Sequence, residues 1–104
     1  MNGQAFAFHG YLPAKAAPRD GVLRALDQVV ARTGGTQIFI ETPYRNEALV
    51  GAVLSVCRPT LGFCVAVDLT LPTEQVVSRP IAAWRAAPRL ELAKRPAIFL
   101  LGRD

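Results

Sequence analysis

Three short stretches bring together residue types that can do chemistry: Gly10-Tyr11-Leu12-Pro13, Glu41-Thr42-Pro43-Tyr44-Arg45 and Asp68-Leu69-Thr70. Each follows a run that reads as a strand, and open sheets of the α/β kind gather ligands outside the carboxyl ends of their strands. If the three strands are parallel neighbours, these junctions share one rim. Glu41 and Arg45 can then pair across the start of a helix, where the helix dipole favours a carboxylate.

Each feature also has a plain structural use. Thr42-Pro43 is a good helix cap, and an exposed Glu41–Arg45 pair contributes only about 0–1 kcal/mol. His9 beside Gly10 suits a partly exposed hydrogen-bonding side chain, Asp68 can cap the turn that contains Pro72, and Trp84 can anchor a short helix to the sheet.

Other signatures of chemistry are missing from the sequence. It has no Gly-x-x-x-x-Gly-Lys phosphate loop, no Gly-x-Gly-x-x-Gly after a strand and no Gly-x-Ser-x-Gly elbow. Cys57 and Cys64 are seven apart, too few for a disulfide scaffold, and one His without a Cys-x-x-Cys pattern leaves a zinc site short of ligands. No metal is expected.

The elements that would position these junctions follow from periodicity. Ala5 to Phe8 alternate, with Phe6 and Phe8 on one side, and read as a half-buried strand running into a turn at His9–Pro13. A helix begins near Pro18 and carries Val22, Leu23, Leu26, Val29 and Val30 opposite Arg24, Asp27 and Arg32; Thr33-Gly34-Gly35 ends it. Thr36 to Glu41 is a buried strand. Thr42-Pro43 opens a second helix with Leu49, Val50, Val53 and Leu54 on its apolar face, and Arg58-Pro59 closes it. Leu61 to Asp68 and Glu74 to Ser78 read as strands, Ile81 to Ala86 as a short helix with Trp84, and Pro96 to Gly102 as a last buried strand after a polar stretch through Arg95. The order predicts an α/β domain, a mixed sheet of about five strands with helices packed on it.

Composition agrees. With 104 residues, 51% hydrophobic and 19% charged, the chain is one folded domain, residues 1–104. The net charge of +4 comes from ten arginines and two lysines scattered along the chain, which allows a nucleic-acid partner without requiring one. No apolar run reaches the roughly 18 residues that span a bilayer, and a cytoplasmic location is expected.

The junctions also resemble a known family. The phrases Asn2–Pro13, Ile38-Phe39-Ile40-Glu41-Thr42-Pro43-Tyr44-Arg45, Val65-Ala66-Val67-Asp68-Leu69-Thr70 and Pro96-Ala97-Ile98-Phe99-Leu100-Leu101 resemble the C-terminal half of the tetrapyrrole methylase superfamily of S-adenosylmethionine-dependent methyltransferases. Within it they are most similar to the branch of the small-subunit ribosomal RNA enzyme that methylates a cytidine ribose. The most specific pieces are the Gly-aromatic-Leu-Pro turn and the Glu-Ser/Thr-Pro-aromatic-Arg helix start. Tyr44 departs from the His typical of that branch, so the acceptor need not be the same cytidine.

The resemblance implies a two-domain enzyme with the donor in the cleft between domains, of which this chain is the second. The first, with its Gly-x-Gly-x-Gly-Asp segment, is absent, so the isolated domain is expected to be inactive and to need that missing partner. By resemblance, Ile40, Glu41, Thr42, Ala66, Val67, Pro96 and Ala97 hold the adenosyl part of S-adenosylmethionine, while Tyr11, Tyr44 and Arg45 face an RNA or tetrapyrrole acceptor. Glu41 is the carboxylate placed to help a hydroxyl acceptor lose its proton. Exposed apolar surface on such a half predicts a homodimer. The rival expectation is a stand-alone binding or dimerisation module for RNA, a tetrapyrrole or itself.

Overall fold

The computed structural model describes residues 5–103, so the first residues of the Asn2–Pro13 phrase lie outside the described part. The elements are β1 (Phe6–Tyr11), α1 (Ala16–Thr33), β2 (Thr36–Ile40), a 3-10 turn (Pro43–Arg45), α2 (Asn46–Val56), β3 (Leu61–Val67), β4 (Gln75–Pro80), α3 (Ile81–Ala86) and β5 (Ala97–Arg103). They form one five-stranded sheet in the order β1-β2-β5-β3-β4. β1 and β2 are parallel, whereas β5 runs antiparallel to both β2 and β3, and β4 is antiparallel to β3. β1, β2 and β3 therefore point the same way. The mixed α/β fold expected from the sequence is the one observed.

Side-chain alternation divides the sheet into two unlike faces. Phe39, Phe63, Val65, Phe99 and Leu101 point toward the helices and join Leu23, Leu26, Val30, Leu49, Val53, Ile81 and Trp84 in a single core. Phe99 stacks at its centre, with ring centroids 5.9 Å from Phe39 and 6.3 Å from Phe63. Trp84 lies 5.3 Å from Phe63, and its indole N–H donates to the Phe63 carbonyl at 2.7 Å, so a large ring is buried without leaving its polar atom unpaired. The other face, with Phe8, Ile38, Leu100 and Cys64 in one row across four strands, has no helix on it among the described residues. No described helix is long and apolar enough to cross a membrane.

Among the departures from the sequence reading, three have a clear physical cause. The expected turn at His9–Pro13 is instead the end of β1: one extra residue is accommodated between the Phe8↔Ile38 and Tyr11↔Ile40 pairs, with Gly10 at φ 66°, where an L side chain is strained. Thr42 does not cap with its side chain, because its hydroxyl and its N–H both turn to Glu41 Oε1, and the chain makes a 3-10 turn before α2 begins at Asn46. Asp27, placed by periodicity on the polar side of α1, is buried. Its Oδ2 accepts the Arg58 N–H at 2.9 Å and its Oδ1 accepts Arg58 Nε at 2.9 Å, so the charge is paired where it enters the core.

Phe99→Ala would open a cavity at the centre of the ring stack. The expected loss is about 3–5 kcal/mol of unfolding free energy, read by urea denaturation; a loss well under 1 kcal/mol would show that this stack does not carry the core.

Candidate functional site

The carboxyl ends of β1, β2 and β3 meet at one end of the sheet, and the amino end of β5 fills the gap between β2 and β3. The three junctions thus share a rim, with β5 separating the second from the third. Register carries one row across it: Tyr11 pairs with Ile40, Ile40 with Ile98, and Ile98 with Ala66. Between the β5 start and the β3 end lies a concavity of about 160 Å³ lined by Ala66, Asp68, Leu69, Leu71, Pro96, Ala97 and Ile98.

Its shape depends on a knot of hydrogen bonds at Asp68. This residue sits at φ 54°, and its N–H donates to the Pro96 carbonyl at 3.0 Å, which joins the β3 end to the β5 start. Its Oδ2 accepts Arg95 Nε and Thr73 Oγ1, both at 2.8 Å. Arg95 also donates to the carbonyls of Glu91 at 2.6 Å and Thr73 at 3.1 Å. Asn46, fully buried at the start of α2, donates to the Arg95 carbonyl at 2.6 Å. The segment before β5 is held from both sides. The Arg95 guanidinium, then the Thr73 hydroxyl, hold the Asp68 carboxyl below its ordinary value of 3.8.

The second junction is tied within itself. Glu41 is buried, and its Oε1 accepts the Thr42 N–H at 2.8 Å and stands 3.9 Å from Arg45 Nη1. Arg45 lies over the Tyr44 ring at 4.8 Å, and Tyr44 is 72% exposed. Tyr11 is likewise exposed, at 63%. Two aromatic rings and a cation therefore stand open on the rim.

The sequence-derived residues divide by face. Ile40 and Ala66 lie on the open side of the sheet at the rim, and Pro96 borders the concavity. Val67 points into the core and offers only its backbone, while Ala97 points the same way yet still edges the concavity. His9 bonds Gln37 Oε1 at 2.7 Å. Arg95, Asn46 and Thr73, which shape the site, carried no local signal: Arg95 meets Asp68 across 27 positions. Larger hollows of about 330 and 300 Å³ lie at the other end of the molecule around Arg58, whose guanidinium is already engaged by Asp27.

No protein-family model matches the chain, and no curated protein does. Solved structures do. The methyltransferase CobJ aligns at TM-score 0.57 and 18% identity over 98% of this chain and 42% of its own. Uroporphyrin-III C-methyltransferase from Thermus thermophilus, in complex with S-adenosylhomocysteine, aligns at 0.53 and 20% over 98% and 44%. The cobalt precorrin-4 methyltransferase CbiF aligns at 0.58 and 16% over 95% and 40%. This chain has the fold of a part of these enzymes and spans about four-tenths of their length.

Asp68→Asn keeps a residue type that tolerates positive φ but removes the charge facing Arg95. Because the folded carboxyl holds its charge to lower pH than the unfolded chain, its stabilisation is complete above the ordinary value and drains away as pH falls below it. The thermal midpoint of the wild type should exceed that of Asp68→Asn at neutral pH, and the gap should close on acidification. A gap that is constant with pH would remove the charge from the account.

Proposed function

We propose that the chain forms one wall of an S-adenosylmethionine-dependent methyltransferase, holding part of the donor in the rim concavity and part of the acceptor beside it. The row Ile40–Ile98–Ala66 beneath the Asp68–Pro96 junction carries this reading, in a fold shared with an enzyme crystallised with S-adenosylhomocysteine.

The residues present suit the donor. Ala66, Ala97 and Pro96 leave room for a flat ring, Leu69 and Leu71 give it apolar cover, and Asp68 sets one polar group at the mouth. Ligand pockets usually measure roughly 300–1,000 Å³. At about 160 Å³ this concavity holds only part of a nucleoside, which supports a second wall from a domain bearing the Gly-x-Gly-x-Gly-Asp segment. The chain alone then does not turn over. The donor supplies a sulfonium methyl group. What the protein adds is alignment of donor and acceptor and exclusion of water, worth up to roughly 7–11 kcal/mol in favourable cases.

In this reading Ile40, Glu41 and Thr42 border the donor from β2, and Val67 does so through its backbone. Tyr11, Tyr44 and Arg45 offer stacking surface and a cation to the acceptor. Glu41 accepts the proton where the acceptor is a hydroxyl. The Glu41–Arg45 turn favours an RNA acceptor, as in the cytidine-ribose branch. A tetrapyrrole is the second reading, supported by the uroporphyrin-III and precorrin-4 enzymes that share the fold. A free-standing RNA module has less support, because half of the ten arginines are engaged internally: Arg58 and Arg95 face carboxylates, Arg85 and Arg103 bond backbone carbonyls, and Arg79 covers Trp84.

Titration of the ¹⁵N-labelled chain with S-adenosylhomocysteine should move the amide resonances of Glu41, Thr42, Val67, Asp68, Ala97 and Ile98. Ala66→Phe, which fills the concavity, should abolish those shifts while leaving a folded spectrum. No shifts in the wild type, or shifts that survive Ala66→Phe, would overturn the reading.

A further inference from the structure

At the end of the molecule away from the rim, three arginines stand in line along α1. Arg24 lies midway along the helix, and Arg58, in the α2–β3 connection, reaches Asp27 less than one turn further on. Arg103 closes the line: its Nη2 donates to the Ala31 carbonyl at 3.2 Å, and its guanidinium lies over Gly34, where a Cβ would meet Nη1 at 2.9 Å. From Arg24 to Ala31 the helix rises by about 10 Å, at 1.5 Å per residue. The hollows of about 330 and 300 Å³ adjoin here, with Ala31 and Arg58 bordering both, so that they make one trough. Thr60 and Gln28 add neutral polar groups to its walls, and among the described residues Asp27 is the one carboxylate that lines it.

Two of the three arginines have structural duties that leave donors over. Arg58 turns Nε and Nη2 to Asp27, yet its side chain is 52% exposed. Arg103 serves the last turn of α1, an ordinary use of a cation at a helix C-terminus. A guanidinium carries five N–H donors in a fixed fork, so both retain unspent ones. Arg24 has no such duty. It is exposed and makes no hydrogen bond or ion pair among the described residues. The Cys57 thiol registers how closely the charges gather: burial, then Asp27, pushes it up to about 12, against the pull of Arg85, Arg58 and Arg24.

Cations strung along a line suit a ligand whose negative charges repeat along a line, whereas a single anion is held by donors that converge on one point. No aromatic residue borders either hollow, so nothing there stacks a base. We propose that this trough binds the sugar-phosphate backbone of an RNA, without regard to its sequence. The proposal rests on the RNA-acceptor reading of the rim and gives the two ends separate tasks: phosphates position the strand at the trough, and bases meet Tyr11 and Tyr44. Leu61 borders the trough and Val67 ends the same strand at the rim, about 20 Å away at roughly 3.3 Å per residue. At about 3.4 Å per stacked nucleotide, a strand of about six nucleotides covers that distance.

The test is fluorescence anisotropy of a labelled single-stranded RNA of about twelve nucleotides with the full chain, over a range of salt concentration. Wild type is compared with Arg24→Gln, Arg103→Gln and the double variant; Arg58 stays in place because Asp27 depends on it. Each substitution should lower the salt slope by about 0.7, and the double variant should bind about tenfold or more weakly at low salt, alike for RNAs of different sequence. The circular dichroism spectrum and the amide shifts induced by S-adenosylhomocysteine should stay as in the wild type. If Arg103→Gln loosens the end of α1, Arg24→Gln alone decides, since its side chain has no partner to lose. RNA binding that Arg24→Gln leaves unweakened overturns the proposal, and its loss in Arg45→Gln instead would leave the rim reading standing alone. A wild type that binds no RNA at low salt also overturns it, while the S-adenosylhomocysteine shifts judge the donor site separately. Displacement of the RNA by millimolar inorganic phosphate at constant ionic strength would mark a site for a free anion and overturn the RNA assignment.

Discussion

One strand inserted against the direction of its neighbours governs this molecule. β2 and β3 run the same way but do not touch; β5 enters between them antiparallel, so its first residues arrive where theirs end. Had β3 paired with β2 directly, no foreign segment would lie between their ends. The incoming chain is narrow at that point, Pro96 then Ala97, and Ala66 stands beside it on β3. Small residues at the junction of two strand ends leave the hollow, and the wider row from Tyr11 through Ile40 and Ile98 extends it along the rim.

Holding that entry point in place is an electrostatic task, and the fold repeats one device for it: an arginine reaching from a connection to a buried or half-buried carboxylate. Arg58 reaches Asp27 at the end of the sheet away from the rim, and Arg95 reaches Asp68 at the rim. Each carboxylate also accepts a further hydrogen bond, from a backbone N–H at Asp27 and a hydroxyl at Asp68, which offsets the cost of removing charge from water.

Much of this organisation was legible in the residues. The Thr33-Gly34-Gly35 stop is realised as a left-handed Gly34 whose N–H closes on the Val30 carbonyl at 2.8 Å. The strand runs near Ile38, Val65 and Phe99 are where alternation and β-branching put them. The three junctions were recognisable because turn chemistry is local. What was not legible depends on contacts far apart in sequence. Nothing near Asp27 announces Arg58, so helical periodicity assigned a buried carboxylate to solvent. Nothing near Arg95 announces Asp68 or Asn46, and the segment that shapes the hollow read only as polar. At Thr42 local propensity failed for a different reason: a neighbouring carboxylate competed for the hydroxyl that would otherwise cap.

The most direct measurement is a crystal structure of the chain grown with S-adenosylhomocysteine. The account predicts the adenosyl group seated between Ala66 and Pro96, with the Asp68–Arg95 pair intact behind it. The nucleoside lodged in the hollows around Arg58, with the rim left bare, would contradict it.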